Sequence, residues 1–305
     1  MGNPRLIITS PLLRARTEAT VSSLDNGLFD VVDRKVELLA EPMNVARAAG
    51  DAGADVIFLG LAEPGMAEAA RAELERHGFA SEFIEVASAS CQEIEYRDRE
   101  GDLKLHVIDR CLPSAPDVDL LIDRLGKLLE RGAAFVVTAS DLDGAPTQDF
   151  VERVIGRACG LGVRTITAVT GDSLVQAFHA HPMAAFCEEK LLLRLAPPKP
   201  GTTEAAAETL KRVFEDPVRV MLVLQESGSL LAATREATEE LGPLGSIKPG
   251  ELIGALAAQL IAMGDDFQGA ARAAYAGLLG AGSRDPARGA SLPRGQAGEE
   301  AGGAS

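Results

Sequence analysis

The sequence predicts an α/β fold in which a mostly parallel sheet is covered by helices on both faces. Three observations lead there. Short apolar runs of strand length alternate with longer segments of helical period, the pattern of parallel strands joined by crossover helices. One segment, 91–109, instead alternates apolar and polar residues about a turn, and so reads as a hairpin that need not belong to the parallel sheet. The hydrophobic fraction is 46% with 4% aromatic residues and no Trp, so the core is built from Ala, Val, Leu and Ile. A chain of 305 residues can bury a large core, as one α/β domain or two smaller ones.

The elements follow in order. Leu6 to Thr9 is a buried strand ending at Ser10-Pro11. Residues 17–38 hold extended patches broken by the turn signal Asp25-Asn26-Gly27. Asn44 to Gly53 is alanine-rich and helical, and Asp55 to Gly60 is the next buried strand. Met66 to His77 is an amphipathic helix with Gly78 as its C-cap, followed by a strand at Phe83 to Val86. In the hairpin, Ile94 and Tyr96 alternate with acids, Asp98 to Asp102 turns the chain, and Leu103, Leu105 and Val107 alternate again. One face of that hairpin is expected to be buried.

The strand–helix rhythm then resumes. Leu120 to Glu130 is a helix, Phe135 to Thr138 a strand, Thr147 to Gly160 a helix and Arg164 to Val169 a strand. A short helix starts at Ser173 to Phe178, and Glu188 to Leu195 is apolar with charged edges. Thr203 to Phe214 is a helix, Arg219 to Leu224 a strand, and Ser229 to Thr234 its hairpin partner. Helices at Leu252 to Met263 and Phe267 to Leu279 close the domain, which spans residues 1–280. Residues 281–305 are Gly, Ala, Ser, Pro and charge without periodicity, as in a disordered tail.

The formal charge is −15, from 30 basic and 45 acidic residues, which argues against a nucleic-acid or anionic-membrane binder. Cys91, Cys111, Cys159 and Cys187 show no paired spacing and read as reduced thiols of a cytoplasmic protein. They form no ligand pattern with His77, His106, His179 or His181, so no metal site is expected, and the pair His179 and His181 reads as surface. No signal-like start and no apolar run near 18 residues is present, so a soluble chain without a membrane segment is expected.

One stretch carries chemistry. Gly245-Ser246-Ile247-Lys248-Pro249-Gly250-Glu251 is a glycine-rich turn that opens an apolar helix with a carboxylate in its first turn. Unpaired N–H groups and the helix dipole make such a turn an anion site. The same spacing also suits an ordinary helix start, with proline at the first position and an acid after it.

The order of elements resembles the ribokinase-like sugar kinases, the PfkB family, and within them the phosphofructokinase/tagatose-phosphate kinase branch. The resemblance is carried by Asn44-Val45-Ala46-Arg47-Ala48, by Gly53 to Gly60, by the helix Arg71 to Gly78, and by the hairpin. It continues through Val136 to Ser140, Val223 to Leu231 and the glycine-rich turn, and covers residues 5–280. What it implies is a three-layer fold with a small β lid, from about residues 10–38 and 91–112, that closes over the sugar and often forms a dimer. It also implies an ATP- and Mg²⁺-dependent kinase of a sugar or sugar phosphate. An anion hole at the last long helix would hold the transferring phosphoryl group, and an aspartate there would act as base.

The family's functional motifs are where this sequence departs. Gly-Ala-Gly-Asp becomes Lys248-Pro249-Gly250-Glu251, which removes one amide and lengthens the carboxylate by a methylene. Gly-Gly-Lys-Gly becomes Leu39-Ala40-Glu41-Pro42, where Glu41 would repel a phosphate. Asn44 remains, either as a substrate contact or as a helix cap. The Asn-Pro-Ala-Leu-Asp motif becomes Ser10-Pro11-Leu12-Leu13-Arg14, with Arg14 in place of the sugar-binding acid, and Ser-Gly-Ser becomes Thr138-Ala139-Ser140. The nucleotide loop Gly-Ala-Asp-Gly becomes Gln225-Glu226-Ser227-Gly228, and Phe186 to Lys190 stands where Lys-Pro-Asn-x-x-Glu is expected.

Two readings follow from the resemblance. In the first, the chain is a degenerate homologue that has kept the fold, with phosphotransfer impaired or lost, and it acts by binding, either as a sensor of a sugar phosphate or nucleotide or as a regulatory subunit that pairs with another protein. In the second it is an active, 1-phosphofructokinase-like enzyme with a rebuilt site. Glu251 is then the base, Lys248 and Gly250 hold the phosphoryl group, Arg14, Asn44 and Arg110 contact the substrate, and Ser227 and Gly228 the nucleotide. Arg110 also suits an exposed hairpin end. A third, structural reading is a homodimer scaffold joined through the lid.

Overall fold

The computed structural model describes residues 5–23, 29–130, 135–140, 148–169, 177–178, 180–195, 220–264 and 266–282. A nine-stranded sheet forms the centre. It comprises β1 (Arg5–Ser10), β4 (Asp55–Ala62), β5 (Ala80–Glu85), β8 (Phe135–Ser140), β9 (Arg164–Val169), β10 (Ala184–Glu188), β11 (Val220–Leu224), β12 (Ser229–Ala233) and β13 (Thr238–Pro243). Their order is β13-β12-β11-β10-β9-β8-β1-β4-β5, parallel from β5 to β11 and antiparallel at the β11-β12-β13 edge.

The two inner faces are read directly from strand alternation. In β1, Leu6 and Ile8 join one apolar cluster and Ile7 the other; in β11, Val220 and Leu222 oppose Met221 and Val223 in the same way. The first cluster is covered by α1 (Ala40–Asp51), α2 (Pro64–Arg76), α6 (Pro249–Met263) and α7 (Phe267–Gly282). The second is covered by α3 (Ala115–Leu129), α4 (Gln148–Gly160) and α5 (Glu189–Leu195). The result is a three-layer α/β sandwich in which inner strands such as β1 and β11 are buried on both faces. No helix among the described residues is long and apolar enough to cross a membrane.

A second, four-stranded sheet has the order β3-β2-β6-β7, from β2 (Leu13–Ser23), β3 (Phe29–Leu38), β6 (Ser90–Arg97) and β7 (Leu103–Cys111). Its two hairpins leave the central sheet at the carboxyl ends of β1 and β5, where Ser10 precedes β2 and Glu85 precedes β6. They are joined by parallel pairing of β2 with β6. This sheet therefore stands over the end of the central sheet where α/β folds bind ligands. The strand order also reverses there: the chain builds outward from β1 to β5, then crosses to β8 on the other side of β1.

Several expectations are corrected. The 91–109 hairpin does not bury one face along both strands, because all nine residues of β7 are exposed. Helix α1 starts at Ala40, so Asn44 lies inside it and does not cap it. Helix α3 starts five residues ahead of Leu120, after the Ser114 N-cap. Asp117 there accepts the Ser114 N–H at 2.9 Å and closes a capping box. Strands β10 and β13 are additions to the sequence reading. The Asp25-Asn26-Gly27 turn, the 203–214 helix, most of the 173–178 helix, His179 and residues 283–305 lie outside the described residues.

Candidate functional site at the start of helix α6

Helix α6 is apolar nearly all round and buries Leu252, Ile253, Ala255, Leu256, Ala257, Ala258 and Leu260, so it is held as a core element and its first turn is fixed in space. Lys248 is the N-cap in an extended conformation (φ −80°, ψ 146°), and Pro249, Gly250 and Glu251 are the first three helical residues. Pro249 offers no N–H. The Gly250 N–H donates to Glu41 Oε2 at 2.9 Å. Glu251 turns back on its own helix, where its Oε2 accepts the Lys248 N–H at 3.0 Å. The turn's first free amide and its carboxylate are thus both engaged within the chain.

Helix α1 packs its first turns against this turn. A Cβ on Gly250 would lie 2.5 Å from Glu41 Oε2, 2.8 Å from the Glu41 carbonyl oxygen and 3.0 Å from Asn44 Cβ, so only glycine fits. Asn44 itself is 5% exposed. One turn later Gly254 lies against the Val45 backbone. Lys248, Gly250, Glu251 and Asn44 are therefore gathered in one place, with Glu41 among them.

Arg14 and Arg110 sit elsewhere, on the lid sheet. They are the two neighbours of Cys91 in register, so Arg14, Cys91 and Arg110 form one row on one face. The next rows on that face are Glu37, Arg16, Glu93 and Ile108, then Lys35, Glu18, Glu95 and His106. Lys248 Nζ approaches Glu37 Oε1 at 4.0 Å, so this charged face looks towards the α6 turn. Arg14 Nε donates to Glu93 Oε2 at 2.8 Å, and His106 Nε2 lies 2.8 Å from Glu93 Oε1. Arg16 Nη2 donates to Glu95 Oε1 at 2.6 Å, and Arg97 Nη2 to Glu95 Oε2 at 2.6 Å.

Burial works to raise the Glu93 carboxyl, but the hydrogen bonds from Arg14 and His106 and the charges of Arg14 and Arg16 outweigh it and hold it below its ordinary value. The hydrogen bond from Arg97 does most to lower Glu95. Burial pushes the Cys91 thiol up, against the pull of Arg14 and Arg110. Glu93, Glu95 and His106 bring three ligand atoms within 4.8 Å of one another, the spacing of a metal site. Three guanidinium groups already hold these carboxylates, so the cluster is built as an ion-pair network.

Ser227 and Gly228 form the β11–β12 turn. The Gly228 N–H donates to the Gln225 carbonyl at 2.9 Å, and Gly228 has φ 83°. The turn is tied down by Glu189, whose carboxylate accepts the Glu226 N–H at 3.0 Å. The Gly228 carbonyl accepts the Leu244 N–H at 2.9 Å, which joins the turn to the segment entering α6. Sequence reasoning missed the part played by Glu41, Glu93 and Glu95. The only signal for Glu41 was an acid standing where a glycine-rich loop is expected.

No family model matches the chain, and no curated protein matches it. Solved structures do. The tetrameric inhibited form of phosphofructokinase-2 from Escherichia coli has a TM-score of 0.73 at 15% identity, over 90% of this chain and 92% of that one. A putative phosphofructokinase from Staphylococcus aureus has a TM-score of 0.71 at 12% identity, over 89% of each chain. A possible 1-phosphofructokinase from Thermotoga maritima has a TM-score of 0.70 at 17% identity, over 92% of each chain. The chain thus has the ribokinase-like fold, and at these identities the likeness speaks for the fold.

Proposed function

We propose that this chain is a degenerate homologue of the PfkB carbohydrate kinases, with phosphotransfer impaired or lost, that acts by binding a sugar phosphate or nucleotide. The observation that carries the reading is the α6 turn, where the place of an anion hole and a catalytic carboxylate is satisfied by the chain itself. A transferring phosphoryl group is stabilised by donors aimed at its developing charge, each worth about 3 kcal/mol in comparable oxyanion sites. Here Pro249 supplies no donor, and the Gly250 donor is engaged by a carboxylate. An ATP γ-phosphate with its Mg²⁺ does not fit a turn so occupied. Arg14, at the place of a sugar-binding acid, is held by Glu93 within the lid.

The test is turnover. ADP release above background with ATP–Mg²⁺ and fructose 6-phosphate, fructose 1-phosphate or tagatose 6-phosphate, abolished by Glu251→Gln, would overturn the proposal in favour of an active kinase with Glu251 as base.

We also propose, from the homodimer reading, that two copies pair through the lid. Val36, Thr17, Ile94 and Val107 form one row on the lid face opposite the charged one, beside Leu105. Val36 and Leu105 are 50% and 46% exposed. An apolar face on a sheet with two open edges suits a self-complementary partner. Light scattering is expected to give twice the chain mass for the native protein, and a monomer for Val36→Glu with Val107→Lys. A native monomer contradicts the pairing.

A further inference from the structure

We infer that Glu41 is a built-in competitor for the α6 anion site: its carboxylate closes the site against free oxyanions, and a strained turn holds it there. The inference rests on reading the α6 turn as a former phosphate cradle, and it adds how that cradle is kept shut.

Glu41 belongs to the first turn of α1, and its carboxylate reaches the first turn of α6, 209 positions away in sequence. The two helix starts meet at this point, since a Cβ on Gly250 would touch both Glu41 and Asn44. Each start presents the positive end of a helix dipole, so one carboxylate between them answers two like partial charges at once. Neither helix start has a side-chain cap of the usual kind: Leu39 and Lys248 stand at the N-cap positions, and neither side chain accepts a hydrogen bond there. Glu41 supplies the one carboxylate in the first turn of α1 and adds a second, beside Glu251, at the start of α6.

Its placement is enforced by Leu39. This residue has φ 57° and ψ 35°, the left-handed region that favours glycine. Leu39 keeps it because three contacts fix it. Its N–H donates to the Arg14 carbonyl at 3.0 Å, its carbonyl accepts the Met43 N–H at 2.6 Å, and its side chain is 2% exposed in the core. Strain in a non-glycine residue persists only where its surroundings over-determine it, and such residues gather at switches and clamps. Here the left-handed turn swings the chain from β3 directly into α1, so that Glu41 comes to the Gly250 amide. The Arg14 carbonyl that anchors it belongs to the lid, so lid, strained turn and plug are joined in series.

Inorganic phosphate is the probe, followed at the Gly250 amide by nitrogen–proton NMR on the full chain, with the melting temperature read in parallel. In the native protein the Gly250 resonance is expected to stay unmoved by phosphate. In Glu41→Ala it shifts saturably, with an affinity at least about tenfold tighter than any native response, and phosphate raises the melting temperature of that variant alone. Glu41→Gln keeps the side-chain size and loses the charge; it falls between the two and serves if Glu41→Ala does not fold. A native response equal to that of the variants overturns the inference, as does the absence of phosphate binding in both variants. Neither readout uses turnover, so failure here and failure of the proposed loss of phosphotransfer are told apart.

Discussion

Gly254→Ala is expected to lower the stability of the chain by about 3 kcal/mol, the upper range for overpacking a well-filled core. The reason is local. Helices α1 and α6 cross at Gly254, where an added Cβ would stand inside contact distance of the Val45 carbonyl oxygen and 3.0 Å from Val45 Cα. That neighbour is backbone in the middle of a buried helix, and Val45 is fully buried, so it has nowhere to retreat. The strain is relieved only by parting the two helices whose first turns form the candidate site. Urea unfolding should therefore show a lowered midpoint with an unchanged slope. Gly277→Ala, on α7 with nothing within 4 Å of its added Cβ, should leave the midpoint unchanged or raise it slightly.

Glu93→Ala is expected to cost about 3 kcal/mol, because removing one partner of a buried ion pair strands the other. The Glu93 side chain is 6% exposed and accepts from Arg14 while facing His106. Arg14 is 32% exposed, which places the effect at the lower end for a buried pair. The double variant Glu93→Leu with Arg14→Met should recover part of the loss, since it strands no charge. Titration gives an independent check. The folded carboxyls of Glu93 and Glu95 lie below their ordinary value of 4.5. Their contribution is therefore complete above about pH 4.5 and lost as the pH falls below it. Glu93→Ala should flatten that acid limb.

The layers of the fold were legible because inner strands such as β1 are apolar at successive positions, as burial on two faces demands. Leu6, Ile7 and Ile8 divide between the two cores as a strand buried on both faces must. What escaped reading had physical causes. Strand β13 is Thr-Glu-Glu-Leu-Gly-Pro at a sheet edge, with no buried residue to give it a pattern. Strand β10 runs from Ala184 to Glu188 and enters α5 at Glu189 without a turn residue between them. The start of α1 carries none of the usual cap signals, because Leu39 is the N-cap. Asn44, which has the right chemistry for a cap, lies inside the helix.

The candidate site was legible in part. The α6 turn could be picked out by its glycines, its proline and its acid, and the structure gathers Lys248, Gly250, Glu251 and Asn44 there. What the turn is bonded to could not be read, because Glu41 and Gly250 lie 209 positions apart. Arg14 and Arg110 were read singly as substrate contacts. Register places them on either side of Cys91, and Arg14 pairs with Glu93. No local pattern encodes a parallel pairing between β2 and β6, whose strands are separated by two helices and two strands of the central sheet.

The measurement that bears most directly on the closed α6 turn is ADP release by the unaltered chain, with ATP–Mg²⁺ and each of the three sugar phosphates in turn. The expected result is release at the rate of the enzyme-free control with all three. Sustained release dependent on one sugar phosphate, and lost in Glu251→Gln, would mean that Glu41 and the Glu251 cap give way to substrate, and would contradict a site closed by the chain itself.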